Sequence, residues 1–212
     1  MCASNISSFI KMIKISNAPE KKRATRMVFL AVTVLVFAVF CAGQSSAAAR
    51  NPNWAVPVEL EGVPNLYRMT DNIYRSAQPT KEGFKNLEKL GVKTVLNLRG
   101  FHSDDLSGTG IEEVRVKMEA WDPDYDELVR ALRILSDSSS GPFLIHCQHG
   151  ADRTGMISAV YRMVFQDWSR DKAIDEMTRG GYGFHAVWVK IPRFLRKLDI
   201  DALKVSVNAT KK

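Results

Sequence analysis

The stretch "PFLIHCQHGADRTG", residues 142–155, places one cysteine between an apolar run and a glycine-containing loop, with an arginine six positions later. The run "PFLIH" follows the turn-forming "SSSGP" and is typical of a short strand buried on both faces. A helical pattern begins near Arg153. The stretch therefore predicts a strand, a tight loop and a helix, with Cys147 just past the carboxyl end of the strand.

The predicted loop has the features of an anion-binding site. Ligands of open α/β sheets bind beyond the carboxyl ends of the strands, where a helix N-terminus offers free N–H groups and a positive dipole end. Gly150 lets the chain fold so that successive N–H groups point inward. A cysteine thiol, with a pKa of about 8.5 in solution, titrates between roughly 3.5 and 7.5 in such surroundings. We therefore expect Cys147 to be a thiolate nucleophile at neutral pH.

Arg153 supplies a planar guanidinium group that binds two oxygens at once and stays protonated, which suits phosphate. Attack by the Cys147 sulfur on phosphorus would form a phosphocysteine, which water then hydrolyses. A buried core residue is the alternative interpretation of a lone cysteine. As metal ligands, His146, Cys147 and His149 would diverge from so tight a loop. We therefore predict no metal site and no cofactor.

The body of the chain alternates strand patterns with helical patterns. Predicted strands are residues 66–69, 73–76, 92–98, 112–118 and 142–146, and predicted helices are residues 80–90, 124–137, 153–165, 171–179 and 187–198. This alternation predicts a single α/β domain with a largely parallel central sheet and helices on both faces. We predict a linker or irregular edge at residues 50–63, the domain at 64–200, and a C-terminal tail at 201–212.

Residues 1–49 have the composition of an export signal or a membrane anchor. A basic front precedes "MVFLAVTVLVFAVFCAG", residues 27–43, which is uncharged and almost wholly apolar. Ala47 and Ala49 then provide the A-x-A pattern of a signal peptidase site. We predict export to the periplasm with cleavage of this segment. The alternative is an uncleaved anchor that holds the domain to the inner membrane through residues 27–43.

The formal net charge of +7 does not indicate a nucleic-acid partner. Six of the 30 basic residues and one of the 23 acidic residues precede residue 50, which leaves a net charge of +2 on the body. That body has no basic stripe interleaved with aromatic residues, so nucleic-acid binding is not predicted. Of three cysteines, cleavage would remove Cys2 and Cys41, and the single remaining thiol excludes an internal disulfide.

The segment "HCQHGADRTG" carries the H-C-x5-R-[ST]-G pattern and resembles the cysteine-dependent phosphatases, the superfamily of tyrosine and dual-specificity phosphatases. "IYRSAQPT", "VKTVLNLR" and "AIDEMTRGGYG" are similar to small exported bacterial members, and the resemblance covers residues 65–198. It implies a strand–loop–helix phosphate cradle and the hydrolysis of phosphomonoesters through a phosphocysteine. The implied partner is a phosphorylated protein, phosphotyrosine first.

The resemblance also implies a role for each residue of the loop. Cys147 matches the nucleophile and Arg153 the phosphate-binding arginine. Thr154 matches the hydroxyl residue that stabilises the leaving thiolate, and His146 the histidine that supports the loop from behind. The amides of the cradle would come from Gln148, His149, Gly150, Ala151 and Asp152.

The family takes a proton for the leaving group from an aspartate on a movable loop before the helix that precedes the cysteine strand. Here that region reads "KMEAWDPDYDEL", residues 117–128, in which "WDPD" alters the order of the family's W-P-D motif. Asp122 is the predicted acid. Asp124 is predicted to cap the following helix, and Glu119 is the third candidate.

Two alternative functions stay open. The first is hydrolysis of inositol phosphates or phosphoinositides, although Asp152 puts a negative charge in the loop and favours protein substrates. The second is a non-catalytic phosphate-binding module, tethered to the membrane by residues 27–43. His102 and His185 are predicted as surface or structural residues. The segment "GGYGFHAVW", residues 180–188, is predicted either to shape the rim of the site or to connect two helices.

Overall fold

The structure, a computed structural model, describes residues 50–209. The predicted export signal or anchor, residues 1–49, lies outside the described residues. Within the described part, every helix is too short or too polar to span a bilayer. Residues from Arg50 onward form a compact unit of their own.

Within residues 50–209, six strands form one mixed sheet. They are β1 Val56–Pro57, β2 Tyr67–Thr70, β3 Ile73–Ser76, β4 Thr94–Asn97, β5 Glu112–Arg115 and β6 Phe143–His146. Their order across the sheet is β1-β2-β3-β6-β4-β5. β1, β2 and β3 are antiparallel, whereas β3, β6, β4 and β5 are mutually parallel. This confirms the predicted α/β domain with a largely parallel sheet.

β6 lies at the centre of the parallel part, and its register positions the site. His146 pairs with Ser76 on one side and with Asn97 on the other, so three strands end at one level. All four residues of β6 are buried, as the apolar run "FLIH" indicated. Cys147 follows directly and therefore lies at the carboxyl edge of the sheet, where ligands of such sheets bind.

In the part of the chain that the structure describes, six α-helices cover the sheet. They are α1 Lys81–Lys89, α2 Tyr125–Ser136, α3 Asp152–Phe165, α4 Arg170–Arg179, α5 Lys190–Lys197 and α6 Ile200–Asn208. Alternate residues of β4 face opposite sides of the sheet. Val95 belongs to the core cluster under α1, and Leu96 belongs to the larger cluster formed with α2 to α6.

The predicted helix starts depend on side-chain caps, which the structure contains. The Thr80 side chain accepts a hydrogen bond from the Gly83 amide and begins α1. The Asp124 carboxylate accepts from the amides of Asp126 and Glu127 and begins α2. Such caps satisfy backbone donors that have no acceptor within the helix.

The C-terminal tail predicted for residues 201–212 differs from the structure, in which α6 occupies most of that range. Asp199 caps this helix, and Leu203 and Val207 are buried against the core. The Arg133 guanidinium on α2 donates to the carbonyl of Ser206. The domain therefore extends beyond residue 200. The helix resembles a polar tail in sequence, but two turns with apolar residues on one face are enough to dock it on the core.

The linker or irregular edge predicted for residues 50–63 contains the short edge strand β1 and packs on the domain. Ala55 is buried, and its amide donates to Glu176 Oε1 at 2.7 Å. Glu176 in turn forms a buried salt bridge with Arg162, at 2.8 Å. This segment is therefore bonded to α3 and α4 through one buried carboxylate.

A buried carboxylate fixes the end of β6 to the loop after β4. Asp104 Oδ2 lies 2.8 Å from His146 Nε2, and both side chains are fully buried. The side-chain amide of Gln78, through Nε2, donates to the other carboxylate oxygen, Oδ1, at 2.7 Å. Burial acts to raise the pKa of Asp104, but the hydrogen bond and charge of His146, together with the Gln78 amide, outweigh it and hold that pKa below its usual value.

We predict that Asp104→Asn destabilises the domain at pH 7 by about 1.5–3 kcal/mol, the typical value of a hydrogen bond to a charged group. A lowered carboxyl pKa contributes stability above the unfolded value of about 3.9, and this contribution disappears as the pH falls through the folded pKa. In urea titrations from pH 7 to pH 3, the difference between wild type and Asp104→Asn should therefore shrink below about pH 4.

Asp105→Asn is the matched control. Asp105 is adjacent but exposed, and its partner Lys81 is also exposed. This variant should leave the free energy of unfolding nearly unchanged at both pH values. A cost of Asp104→Asn that stayed constant from pH 7 to pH 3 would show that the carboxylate charge is not its source.

Candidate active site

The loop between β6 and α3, residues 147–151, is here named the cradle loop, and its backbone is held from one side. The carbonyl of Gln148 accepts a hydrogen bond from the backbone N–H of Gln78 at 3.2 Å. The carbonyl of His149 accepts from Asn65 Nδ2 at 2.9 Å. The carbonyl of Gly150 accepts from the Arg75 guanidinium at 2.7 Å. Three successive carbonyls therefore point toward the β2–β3 hairpin and its flanks.

These carbonyls determine where the amides of the cradle loop point. In a trans peptide the N–H lies opposite the preceding C=O. The N–H groups of His149, Gly150 and Ala151 therefore point away from the hairpin, on the same side of the loop. Ala151 begins α3 without a side-chain cap, so the first amides of the helix are also free of a capping acceptor. The result is a concave row of donors that suits an anion.

Gly150 makes this conformation possible. Its φ is +67°, in the left-handed region that favours glycine. A Cβ at this position would lie 2.4 Å from the Ala77 backbone nitrogen. A side chain here would therefore separate the cradle loop from the hairpin.

The predicted nucleophile and its hydroxyl partner are both enclosed. Cys147 is a free cysteine with 2% of its surface exposed, and it packs in the core cluster of α2 to α6. The Thr154 side chain is fully buried, and its Oγ1 has no hydrogen-bond partner among the described residues. An unpaired buried hydroxyl is costly, so this oxygen is available to a group in the site.

Arg153 lies in the first turn of α3 and is half-buried. Its Nη1 lies 3.3 Å from the carbonyl of Met118 and 3.5 Å from that of Leu98. These carbonyls follow β5 and β4, so the guanidinium lies across the carboxyl edge of the sheet. The contacts are long and neutral, which leaves most of its hydrogen-bonding capacity for another acceptor.

His146 faces away from the cradle loop. Successive strand residues point to opposite faces, and the imidazole of His146 packs by Phe84 in the cluster under α1. Its Nε2 is engaged by Asp104, and its Nδ1 has no partner among the described residues. This side chain therefore lies behind the loop, the position that the sequence predicted for it.

Arg75 is a site residue that the sequence analysis missed. It is 1% exposed, and its guanidinium lies 3.7 Å from the centre of the Tyr182 ring. Burial lowers the pKa of Arg75, and the nearby groups Tyr182, Glu176 and Cys147 oppose this effect. Arg75 is the arginine of "IYRSAQPT". It lies two residues after Ile73 in the strand, so its side chain points to the same inward face.

Arg99 and Gln78 were also missed. Arg99 Nη1 donates to Gln78 Oε1 at 2.7 Å. Burial lowers the pKa of Arg99, and the charge of Arg153 lowers it further, while Asp104 and Cys147 oppose the shift. Arg99 and Arg153 are therefore two neighbouring cations near the same thiol. In sequence, their only signal was an arginine and a glutamine that each lie two residues after a strand end.

The predicted acid lies in the loop before α2. Asp122 is exposed, and its carboxylate forms no hydrogen bond with the described residues. Asp124 is committed to the helix cap. The carboxylate of Glu119 lies against Gly100. Glu127, which the sequence analysis did not consider, has its pKa raised by burial and by the charge of Asp124.

The segment "GGYGFHAVW" contacts the cradle loop from outside. The His185 amide donates to Asp152 Oδ1 at 2.9 Å, and its ring Nδ1 lies 2.8 Å from Oδ2. Trp188 lies 6.4 Å, centre to centre, from Trp121, the neighbour of Asp122. These contacts support the first of the two predictions for this segment, that it shapes the rim of the site.

Comparisons with known proteins agree with this geometry. A sequence model described as "Tyrosine phosphatase family" matches residues 64–211. The dual specificity protein phosphatase TpbA of Pseudomonas aeruginosa is 37% identical over 166 residues, which cover 76% of this chain and 74% of that protein. An inositol diphosphatase of Arabidopsis thaliana is 31% identical over 159 residues, which cover 69% of this chain and 78% of that protein.

A crystal structure of P. aeruginosa TpbA in complex with phosphotyrosine is also similar to this chain. Its TM-score is 0.66 at 33% sequence identity, and the match covers 76% of this chain and all of that chain. The family match spans more than half of the chain and includes the cradle loop with Cys147 and Arg153. The chain therefore belongs to the tyrosine phosphatase family, the cysteine-dependent tyrosine and dual-specificity phosphatases, which are phosphoric monoester hydrolases.

Proposed function

We propose that Cys147, Arg153 and Asp122 carry out a protein-tyrosine and dual-specificity phosphatase reaction. The observation that carries the proposal is the charge around the cradle loop. Arg75, Arg99 and Arg153 form no salt bridge with a carboxylate among the described residues. Partly or fully buried cations need a counter-charge, and a thiolate together with a phosphate dianion supplies it.

The reaction follows from these positions. The Cys147 sulfur attacks phosphorus while the P–O bond to the leaving group breaks, and the leaving oxygen takes a proton from Asp122. Arg153 and the loop amides hold the three non-bridging oxygens, whose charge they also stabilise in the transition state. Water then attacks phosphorus and gives a proton to the Asp122 carboxylate, while the P–S bond breaks and the Thr154 hydroxyl donates to the departing thiolate. No step requires a metal ion.

Asp122 is favoured as the acid because its carboxylate is exposed and forms no hydrogen bond with the described residues. The other three candidates are less suitably placed. The Asp124 carboxylate accepts two amides at the start of α2, and an acid must instead donate. The carboxylate of Glu119 lies close to Gly100 and is partly buried. Glu127 is the structural competitor, since burial and the charge of Asp124 raise its pKa, which is the direction that suits a proton donor.

Phosphotyrosine proteins are the proposed substrates, with phosphoserine and phosphothreonine as further ones. Cys147 is 2% exposed, so the phosphate of a substrate must reach into the protein. A phenyl ring holds the phosphate far enough from the peptide backbone to do so. Exposed Trp121 and its neighbour Trp188 provide aromatic surface beside the acid loop. The crystal structure of the relative TpbA with phosphotyrosine supports the same choice.

Inositol phosphates are the second candidate class, favoured by one specific observation. Arg99 places a second cation beside Arg153, and a ring with several phosphates can use both. The negative charge of Asp152, which the sequence analysis counted against such substrates, is engaged by His185 and is 8% exposed. That argument is therefore weaker in the folded protein than in the sequence. Inositol diphosphatases among the relatives support this candidate.

We further propose that residues 1–49 export the domain to the periplasm, on the strength of their basic front, apolar core and A-x-A pattern. Retention by an uncleaved residue 27–43 segment is the alternative. In either case the domain would meet phosphorylated substrates outside the cytoplasmic membrane.

The first prediction tests the nucleophile. The chain from residue 50 onward should hydrolyse p-nitrophenyl phosphate in the presence of EDTA. Cys147→Ser should lower turnover by on the order of 10⁴-fold or more, as loss of a catalytic nucleophile does. Matching circular dichroism spectra and urea midpoints would show that both proteins are folded. A folded wild-type protein without turnover would contradict the catalytic proposal and favour the non-catalytic phosphate-binding module.

The second prediction tests the acid with two leaving groups. Asp122→Asn should lower kcat about 10²-fold or more for phenyl phosphate, whose leaving group needs a proton. The effect on p-nitrophenyl phosphate should be much smaller, because p-nitrophenolate leaves without one. Asp124→Asn is a matched control, since asparagine also caps helices well. A leaving-group effect in Glu127→Gln or Glu119→Gln, and none in Asp122→Asn, would reassign the acid.

The third prediction separates the substrate classes. A phosphotyrosyl peptide should give a higher kcat/KM than a phosphoseryl peptide or inositol hexakisphosphate. Arg99→Gln should reduce kcat/KM for the inositol substrate more than for the peptide, because a single phosphate does not need the second cation. Preference of the wild-type protein for the inositol substrate would overturn the proposed substrate class while leaving the reaction type intact.

A further inference from the structure

Three metal-binding side chains meet at the outer rim of the cradle loop. His149 belongs to the loop, Asp152 begins α3, and His185 lies in the segment between α4 and α5. One ligand atom from each lies within 4.8 Å of the other two. The two imidazole rings are 5.2 Å apart, centre to centre. The sequence analysis considered a different histidine pair with Cys147 and could not bring His185, more than 30 residues away, into the same place.

The Asp152 carboxylate is an unusual member of this group. It is 8% exposed, and among the described residues its only ion-pair partner is His185. A buried carboxylate without a strong cation is unfavourable. The His185 amide satisfies one oxygen, and the ring nitrogen of the same residue satisfies the other. The second oxygen therefore faces an imidazole nitrogen, a group that can also bind a metal ion.

We propose that His149, Asp152 and His185 form a binding site for a divalent transition metal ion of the zinc type. Two imidazoles and one carboxylate are ligands that zinc accepts, with bonds of about 2.0–2.2 Å and a fourth position open to water. Imidazole nitrogen selects such ions over magnesium and calcium, which prefer oxygen ligands.

The structure requires little rearrangement for this binding. Ligands of a tetrahedral zinc ion lie roughly 3.3 Å apart at these bond lengths. His185 and Asp152 must separate slightly from their 2.8 Å contact, and the exposed His149 ring must move inward.

The site would link metal occupancy to the phosphate cradle. His149 and Asp152 flank Gly150 and Ala151, whose amides face the anion. A metal ion bonded to both flanking side chains would fix this part of the loop and would also hold the rim segment through His185. The metal ion would bind at the rim and take no part in the proposed phosphoryl transfer. Metal binding can therefore be tested independently of that reaction.

The test measures zinc binding directly. The chain from residue 50 onward is used as Cys147→Ser, because a free thiolate binds zinc by itself. Isothermal titration with Zn²⁺ at pH 7 should show one saturable site. In the same background, His185→Gln and His149→Gln should each weaken binding by at least about 10-fold, since the loss of even an outer-shell partner costs that much.

His102→Gln is the matched control. This exposed histidine also lies near a carboxylate, Asp104, at 3.9 Å. His146 contacts the same carboxylate, but among the described residues these three do not come close enough together to form a metal-binding group. His102→Gln should leave the zinc affinity unchanged. Absence of saturable binding in Cys147→Ser would overturn the proposal. Equal affinity in folded His185→Gln, His149→Gln and parent proteins would overturn it as well, because zinc would then bind elsewhere.

Discussion

Positive charge concentrated at one end of the sheet is the interaction on which the site depends. Arg75 lies beneath the cradle loop, Arg153 lies across the strand ends, and Arg99 lies beside it. The amides of the loop and of the start of α3 add to the same field. Such a site is unfavourable when empty of negative charge, so the arrangement of these cations favours a bound anion.

The rest of the domain keeps these cations in place without neutralising them. Acidic partners are used behind the site: Asp104 engages His146 and Gln78, and Glu176 engages Arg162 and the Ala55 amide. Backbone carbonyls hold Arg75 and Arg153 instead of carboxylates. Neither the Asp104 nor the Glu176 carboxylate forms a salt bridge with Arg75, Arg99 or Arg153, and the carboxylate beside the cradle loop, that of Asp152, is paired with His185.

Features that depend on neighbours in sequence could be predicted, and features that depend on tertiary contacts could not. Strand β6, the caps at Thr80 and Asp124, and the pairing of Cys147 with Arg153 follow from local patterns. Arg75, Arg99 and Gln78 looked like ordinary strand-end residues, because only the parallel register of β3, β6 and β4 brings them to one level. Helix α6 was missed for the same reason, and the contact of His185 with Asp152 could not be predicted, since these partners are distant in the chain.

The close approach of Gly150 to Ala77 limits how the substrate range of this domain can change. A side chain at position 150 would collide with the hairpin backbone. A substitution at this position would therefore require a compensating change in the hairpin. Gln148 and His149, in contrast, are exposed and tolerate replacement sterically. Directed evolution of new specificity would therefore find its accessible variation in these two side chains and in the rim segment, around an invariant backbone turn.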